Sequence, residues 1–267
     1  MSGCDCTPEA HYPVGRDRGA KESEELRVIK LECQIVCVDA MSDDVFRVRL
    51  QAPDVACPYQ AGQYVLLELE SGEKPAFSLA SSPVNWPQLE LHVRVMAGNG
   101  LSGRVVARMQ EGGSISLHVA AGDAVWQAPL DAEIPLIMLA ASTGFSQAKS
   151  LVETALAEAV PNPIYIYWGA REAADLYWSG LPELWASQHA NVHFIPVVSD
   201  GLNSDDWQGR TGLVHEAVLA DKHDLSRALV WACGSPGMVY AAFDAFTLEG
   251  LHKAQIFSDV FAYAPRD

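Results

Sequence analysis

No apolar run in the sequence is long enough to cross a membrane. The longest, residues 134–141, falls far short of the roughly 20 residues a bilayer helix requires. Residues 1–20 hold no apolar segment of the secretory kind, so the expected location is cytoplasmic, with no membrane insertion. Basic residues are scarce, with 18 Lys and Arg against 34 Asp and Glu, and the formal charge of −16 repels nucleic acid and anionic lipid alike. A nucleic-acid partner is therefore not expected, and a protein that docks through charge would be basic. The six cysteines, at positions 4, 6, 33, 37, 57 and 233, have no disulfide-framework spacing, nor the four closely spaced thiolates of an iron–sulfur site. Cys33 and Cys37 share strand parity and read as core thiols, while Cys4 and Cys6 belong to a polar tail. No metal site is expected.

What is present is 267 residues, 49% of them hydrophobic, enough for one large domain or two ordinary ones. Residues 1–30 are polar and without period, a tail. Residues 31–130 carry short alternating runs such as Val45 to Leu50, Tyr64 to Leu69 and Leu89 to Val95, broken by Pro and Gly. About six strands at this spacing predict a small antiparallel barrel, interrupted by one helix over 102–110 that stops at Gly112-Gly113. Residues 131–267 change to continuous apolar strands (136–140, 164–168, 192–198, 228–232) alternating with helices (146–159, 173–178 or later, 213–219, 236–249), the pattern of a parallel sheet with helices on both faces. The fold class expected is thus two-domain, an antiparallel β-barrel followed by an α/β domain with a parallel sheet, joined through residues 127–135.

In such a sheet, ligands sit at the carboxyl ends of the strands. The first strand ends at Ser142-Thr143-Gly144-Phe145-Ser146, where a helix begins and free N–H groups favour a phosphate, although the three spaced glycines of a dinucleotide fingerprint are absent. The second ends at Gly169-Ala170-Arg171, the third at Ser199-Asp200, and the fourth at Cys233-Gly234 leading to Met238. Gly169 and Gly234 permit close backbone approach, and Arg171 is either a phosphate partner or a solvated arginine. Cys233 is either a packed small residue or one that faces a ligand. In the barrel, Phe77-Ser78-Leu79 precedes a strand bearing His92 and Arg94 at equal parity, and Gly100-Leu101-Ser102 opens its helix. An aromatic, a hydroxyl, an arginine and a helix amino end could hold a flavin ring, its N5 edge and a phosphate; Phe77 as core and Ser102 as N-cap are the alternatives.

With these segments in this order, residues 31–263 resemble the ferredoxin-NADP reductase superfamily, and within it the bacterial NAD(P)H-flavin reductases and the reductase modules of ring-hydroxylating dioxygenases. The further matching segments are Trp207 to Gly212 and Phe257-Ser258-Asp259-Val260-Phe261. The resemblance implies a flavin-binding barrel over 31–130 and an NAD(P)-binding domain over 131–267. It makes Ser78 the partner of flavin N5 and places Phe77 and Leu79 along the ring. Gly100, Leu101 and Ser102 would meet the flavin phosphate, Thr143, Gly144 and Phe145 the pyrophosphate of the coenzyme, and Gly169, Arg171, Gly234 and Met238 its remainder. Cys233 would flank the nicotinamide as a catalytic residue with Ser78, and Phe261 would cover the flavin.

The chain also departs from the family pattern. The arginine expected two residues before Phe77 is Pro75, with Lys74 before it, so Lys74 or Arg94 would have to supply the cation. Ala141-Ser142 replaces a glycine pair. Both changes imply a weak hold on FAD or FMN, with the flavin used as a dissociable substrate. Asp200, Asp205 and Asp206 would repel the extra phosphate of NADPH and favour NADH. The expected activity is hydride transfer from nicotinamide to flavin and onward to free flavin or to a protein acceptor, an oxygenase or an iron–sulfur protein. The alternative is a non-catalytic binding or regulatory subunit with a degenerate flavin site.

Overall fold

The computed structural model describes residues 28–96, 98, 100–200 and 207–266; Cys4, Cys6, Asn99, Asp205 and Asp206 lie outside them. The first half contains β1 (Ile29–Ala40), β2 (Val45–Gln51), β3 (Tyr64–Glu68), β4 (Ala76–Ser78), β5 (Gln88–Arg94), α1 (Leu101–Gln110) and β6 (Ser114–Ala121). Its six antiparallel strands run in the order β4-β3-β6-β1-β2-β5, and a bridge between Leu79 and Leu91 brings the two edges together. Alternation puts Val48, Leu50, Val65, Leu67, Leu91 and Val93 inside, where all are buried. The shared parity expected of Cys33 and Cys37 fails. The register of β1 against β2 slips between Ile35 and Cys37, so Val36 bulges and turns Cys37 outward, where Arg49 Nε donates to its sulfur at 2.8 Å; Cys33 stays in the core.

The second half contains β7 (Leu136–Ala141), α2 (Phe145–Ala157), β8 (Ile164–Ala170), α3 (Gly180–Gln188), β9 (Val192–Val198), β10 (Arg210–Thr211), α4 (Val214–Ala220), β11 (Leu229–Cys233), α5 (Pro236–Leu248), β12 (Ile256–Phe257) and α6 (Val260–Tyr263). The sheet is parallel, in the order β10-β9-β8-β7-β11-β12, so the chain reverses direction across the sheet between β7 and β11. Side chains of β7 alternate between two cores. Leu136, Met138 and Ala140 face α2, while Ile137 and Leu139 face α4 and α5.

The helix expected over 173–178 is a single 3-10 turn, Ala173–Asp175, and α3 starts only at Gly180. At the start of that turn Asp175 Oδ2 accepts from the Glu172 N–H at 3.2 Å, and the segment after it is drawn onto the barrel by Tyr177 and Trp178. The two halves are locked along α2. Ser150 Oγ donates to the Ser81 carbonyl at 2.7 Å, Lys149 Nζ to the Ala80 carbonyl at 3.1 Å, and the hydroxyls of Ser82 and Thr154 lie 2.7 Å apart. Among the described residues no helix is long and apolar enough to cross a membrane.

Candidate active site

A cavity of about 660 Å³ opens where the barrel meets the carboxyl ends of β7 and β11. This is the point at which strand order reverses in the parallel sheet, and the strand-end crevice there is where such sheets bind ligands. The barrel contributes Tyr64 and Ser78, which are cross-strand partners on the outer face, together with His92 and Arg94. The turn into α2 contributes Ser142, Thr143, Gly144, Ser146 and Gln147, and the chain beyond β11 contributes Gly234, Asp259 and Tyr263. Met96 and Tyr263, 66% and 64% exposed, make an apolar rim. A second cavity of about 400 Å³ is lined by Gly169, Arg171, Ser199, Gly212 and Met238, and shares Arg94, Ala141 and Ser142 with the first.

Arg94 therefore stands in the partition. Its Nε donates to Asp44 Oδ2 at 2.5 Å and one terminal nitrogen to Ser142 Oγ at 2.7 Å, while the other is bonded to Asp175. Ser142 is left-handed, with φ 52°, a conformation that glycine adopts without the Cβ clash. The serine is held there by Arg94 and by Trp168 Nε1, which donates to its carbonyl at 3.0 Å.

His92 is buried in the wall. Its Nε2 is 3.0 Å from Glu90 Oε1, and its Nδ1 is 2.9 Å from the Tyr177 hydroxyl. Burial pushes the imidazole below its ordinary range, opposed by the neighbouring Glu90. Burial works on Glu90 in the raising direction, but His92, Lys149 and Arg47 outweigh it and hold the carboxyl down at about 2. At the cavity floor, burial raises Asp259 above the usual carboxylate range against the bonds it accepts from Gln147 Nε2 at 2.9 Å and from the Asp123 and Ala124 N–H groups.

Several residues singled out in the sequence border neither cavity. Leu79 is fully buried in the barrel core, since it closes β4 onto β5. Phe145 is stacked on Trp168 with ring centroids 3.9 Å apart. The Cys233 side chain points into the core on the α2 side, and burial pushes its thiol up, which argues against a thiolate at the site. Phe261 packs against Tyr240 and Phe243, and Tyr263 takes the place at the cavity. The segment is helical there, so residues 261 and 263 are turned about 200° apart, whereas a strand would leave them on one face. Gly100 caps α1 without a side-chain bond, Leu101 packs on the barrel, and Ser102 Oγ accepts from the Met96 N–H at 3.4 Å. Lys74 lies 3.8 Å from Glu68. Phe77 borders the larger cavity and also packs on the barrel core, opposite Val65.

Sequence reasoning missed Tyr64, Ser146, Gln147, Asp259 and Tyr263. Asp259 stands inside a segment already singled out, and a carboxylate in an otherwise uncharged run from Phe257 to Phe261 was its available signal.

The barrel and the parallel sheet, meeting over a shared cavity, define the two-domain class of reductases that join a flavin-type barrel to a nicotinamide-nucleotide domain. Residues 138–244 match the family model described as oxidoreductase NAD-binding domain. The chain is 33% identical to an NAD(P)H-flavin reductase of Aliivibrio fischeri over 239 residues, covering 87% of this chain and 99% of that one. It is 34% identical to the CDP-6-deoxy-L-threo-D-glycero-4-hexulose-3-dehydrase reductase of Yersinia pestis, over 86% of this chain and 68% of that one. Its fold superposes on the cytochrome P450 reductase GcoB of Amycolatopsis with a TM-score of 0.78 and 29% identity, over 86% of this chain and 69% of that one. The chain belongs to the ferredoxin-NADP reductase superfamily, among the NAD(P)H-flavin reductases and related reductase components, and is an NAD(P)H-dependent oxidoreductase rather than a non-catalytic subunit.

Proposed function

We propose that the larger cavity brings a flavin ring and the nicotinamide together, and that the flavin enters as a dissociable substrate. The observation that carries this is a mismatch between ring and phosphate. The cavity is roomy and polar at its floor, with Ser78, Gln147 and Asp259, which fits a heteroaromatic ring with hydrogen-bonding edges. No cation around it is free for a flavin phosphate among the described residues. Lys74 faces Glu68, Arg104 Nη2 is 2.5 Å from Glu73, and Arg94 is held by two carboxylates, with Pro75 offering neither charge nor donor. When both are bound, the nicotinamide supplies the hydride and the flavin accepts it.

The chain's share is positioning. Ser78 offers a hydroxyl at the ring, Phe77 flanks it, and Thr143 and Gly144 carry the coenzyme over the partition, in which Arg94 stays paired with Asp44 and Asp175. Tyr263 covers the cavity from the rim, and Asp259 at its floor accepts from Gln147 Nε2 and from the Asp123 and Ala124 N–H groups. Residues 31–130 form the flavin part and 131–267 the coenzyme part. Acceptors beyond free flavin would be oxygenase or iron–sulfur proteins, met at the apolar rim. A cytoplasmic setting is supported by Cys33, Cys37, Cys57 and Cys233, all free thiols.

The test is NADH oxidation with riboflavin, FMN and FAD in turn. All three should be reduced with KM values within about tenfold of one another, since one missing phosphate contact is worth roughly that, and dialysed protein should be colourless. Absence of NADH oxidation with every flavin refutes the activity; a yellow protein that retains only FMN or FAD refutes the dissociable substrate.

NADH is the favoured coenzyme, because Arg171 Nε donates to Asp200 Oδ2 at 2.9 Å at the smaller cavity, which neutralises the cation a 2′-phosphate would need. The variant D200N frees Arg171. Because Arg171 is 77% exposed and screened, the expected gain in the NADPH to NADH ratio of kcat/KM is modest, about fivefold. An unchanged ratio would remove Asp200 from coenzyme selection.

A further inference from the structure

Among the described residues, three other than glycine are left-handed: Ser142, Ala159 and Lys222. Ala159 and Lys222 stand two residues past the ends of α2 and α4, where helices ordinarily finish in that way. Ser142 alone of the three comes before a helix, in the turn that borders both cavities. A left-handed residue that carries a Cβ has to be held by its surroundings.

Its role there follows from the peptide it turns. The Ser142 carbonyl accepts from Trp168 Nε1 at 3.0 Å, on the core side of α2. Carbonyl and N–H of a trans peptide unit point in opposite directions, so the Thr143 N–H points away from that core, in a segment that lines the larger cavity. If Ser142 relaxed to ordinary backbone angles, that peptide would turn over and present a carbonyl where an anionic coenzyme needs a donor.

The grip on Ser142 comes from the other half of the molecule. Arg94, at the end of β5, donates from one terminal nitrogen to Ser142 Oγ at 2.7 Å. Its Nε donates to Asp44, between β1 and β2, at 2.5 Å, and its second terminal nitrogen to Asp175, beyond β8. With all three nitrogens engaged, the guanidinium is fixed in place and its charge is matched by two carboxylates.

We infer that Arg94 is a positioning residue: clamped by Asp44 and Asp175, it holds Ser142 left-handed and so aims the Thr143 N–H at the coenzyme, without itself meeting the coenzyme's phosphates. The inference rests on the reading of this turn as the coenzyme's. The barrel thereby sets the geometry of the nucleotide turn across the boundary between the two halves.

The experiment measures the dissociation constant of NADH by tryptophan fluorescence, and KM and kcat with riboflavin, on the wild type, S142A, S142G, R94M and R94M/S142G. S142A keeps the Cβ and loses the hydroxyl, so it should weaken NADH about tenfold, the cost of a left-handed alanine left unheld. S142G loses the same hydroxyl but needs no holding, so it should bind NADH several-fold more tightly than S142A. R94M should weaken NADH about tenfold in the wild-type background and by less than about twofold in S142G. KM should follow these losses and kcat should change less. The dissociation constant of riboflavin should stay level throughout, which a general loosening of the cavity would not allow. The comparison of S142A with S142G leaves Arg94 with both its carboxylates and so decides the matter even where R94M does not fold. Equal NADH binding by S142A and S142G overturns the inference, as does riboflavin weakened in step with NADH. A loss in R94M that persists in S142G overturns it too, making Arg94 a direct partner of the coenzyme. Wild-type protein that binds no NADH overturns instead the reading of the turn.

Discussion

Gly144→Ala is expected to lower kcat/KM for NADH by about a hundredfold and to destabilise the fold by about 3 kcal/mol. A Cβ at this position would lie 1.9 Å from the carbonyl oxygen of Cys233 and 2.6 Å from its carbonyl carbon. Both are backbone atoms at the end of β11, so neither can rotate away. The backbone angle of Gly144 is an ordinary −57°, and the requirement is for space. The only relief is retreat of α2 from β11, which carries Thr143, Ser146 and Gln147 out of the cavity together. A displacement near 1 Å is enough for a loss of this size. Urea unfolding and steady-state kinetics on the same preparation check both parts. Gly180→Ala is the control: its Cβ meets nothing within 4 Å at the start of α3, and both quantities should stay at wild-type values. Wild-type kinetics in Gly144→Ala would mean that α2 and β11 are not held in contact.

Glu90→Ala is expected to cost about 3–5 kcal/mol, the usual result of removing one partner from a buried charge cluster. Glu90 is 8% exposed and is shared by Arg47, Lys149 and His92, and Lys149 belongs to the other half of the molecule. Without the carboxylate two cations face one another beside Trp178, whose ring lies 4.8 Å from Arg47 and 5.8 Å from Lys149. Lys149→Met should cost less, because Glu90 keeps Arg47 and His92. The same cluster sets a dependence on acid. His92 and Glu90 are both depressed in the folded state relative to their ordinary values of 6.5 and 4.5. Each therefore contributes stability at neutral pH that fades on acidification: the His92 share from pH 6.5 downward, the Glu90 share between 4.5 and about 2. Asp259, raised by burial, works the other way. Urea midpoints at several pH values should fall with acid in the wild type, and Glu90→Ala should have a shallower limb below pH 4.5, the remainder belonging to other paired carboxyls such as Glu68. An unchanged limb would show that the carboxyl is not held down in the fold.

The architecture was legible because periodicity reports burial locally. Strands of the barrel alternate and strands of the parallel sheet do not, and β9 was read at its observed bounds, residues 192–198. Errors fell where one residue changes the phase. The bulge at Val36 separates Cys37 from Cys33, and the short helix after Asp259 puts Tyr263 at the cavity in place of Phe261. Segment 173–178 read as helical, yet the contacts of Tyr177 and Trp178 with the barrel override propensity.

The strand-end turns were legible for a related reason. A turn that meets a ligand needs small residues and free N–H groups, and these are visible in order along the chain. Which side chains enter the cavity was not, because that depends on contacts between residues far apart in sequence. The sequence by itself determined two units, a barrel and a nucleotide-type sheet, and the places where a coenzyme could approach the backbone, since both follow from local period and from glycine. Only the tertiary structure decided that the cations at the site are already paired, that Cys233 faces the core, and that the His92 ring is held between Glu90 and Tyr177. Charge pairing and hydrogen-bond direction are fixed by neighbours brought from both halves of the chain, and no local pattern carries them.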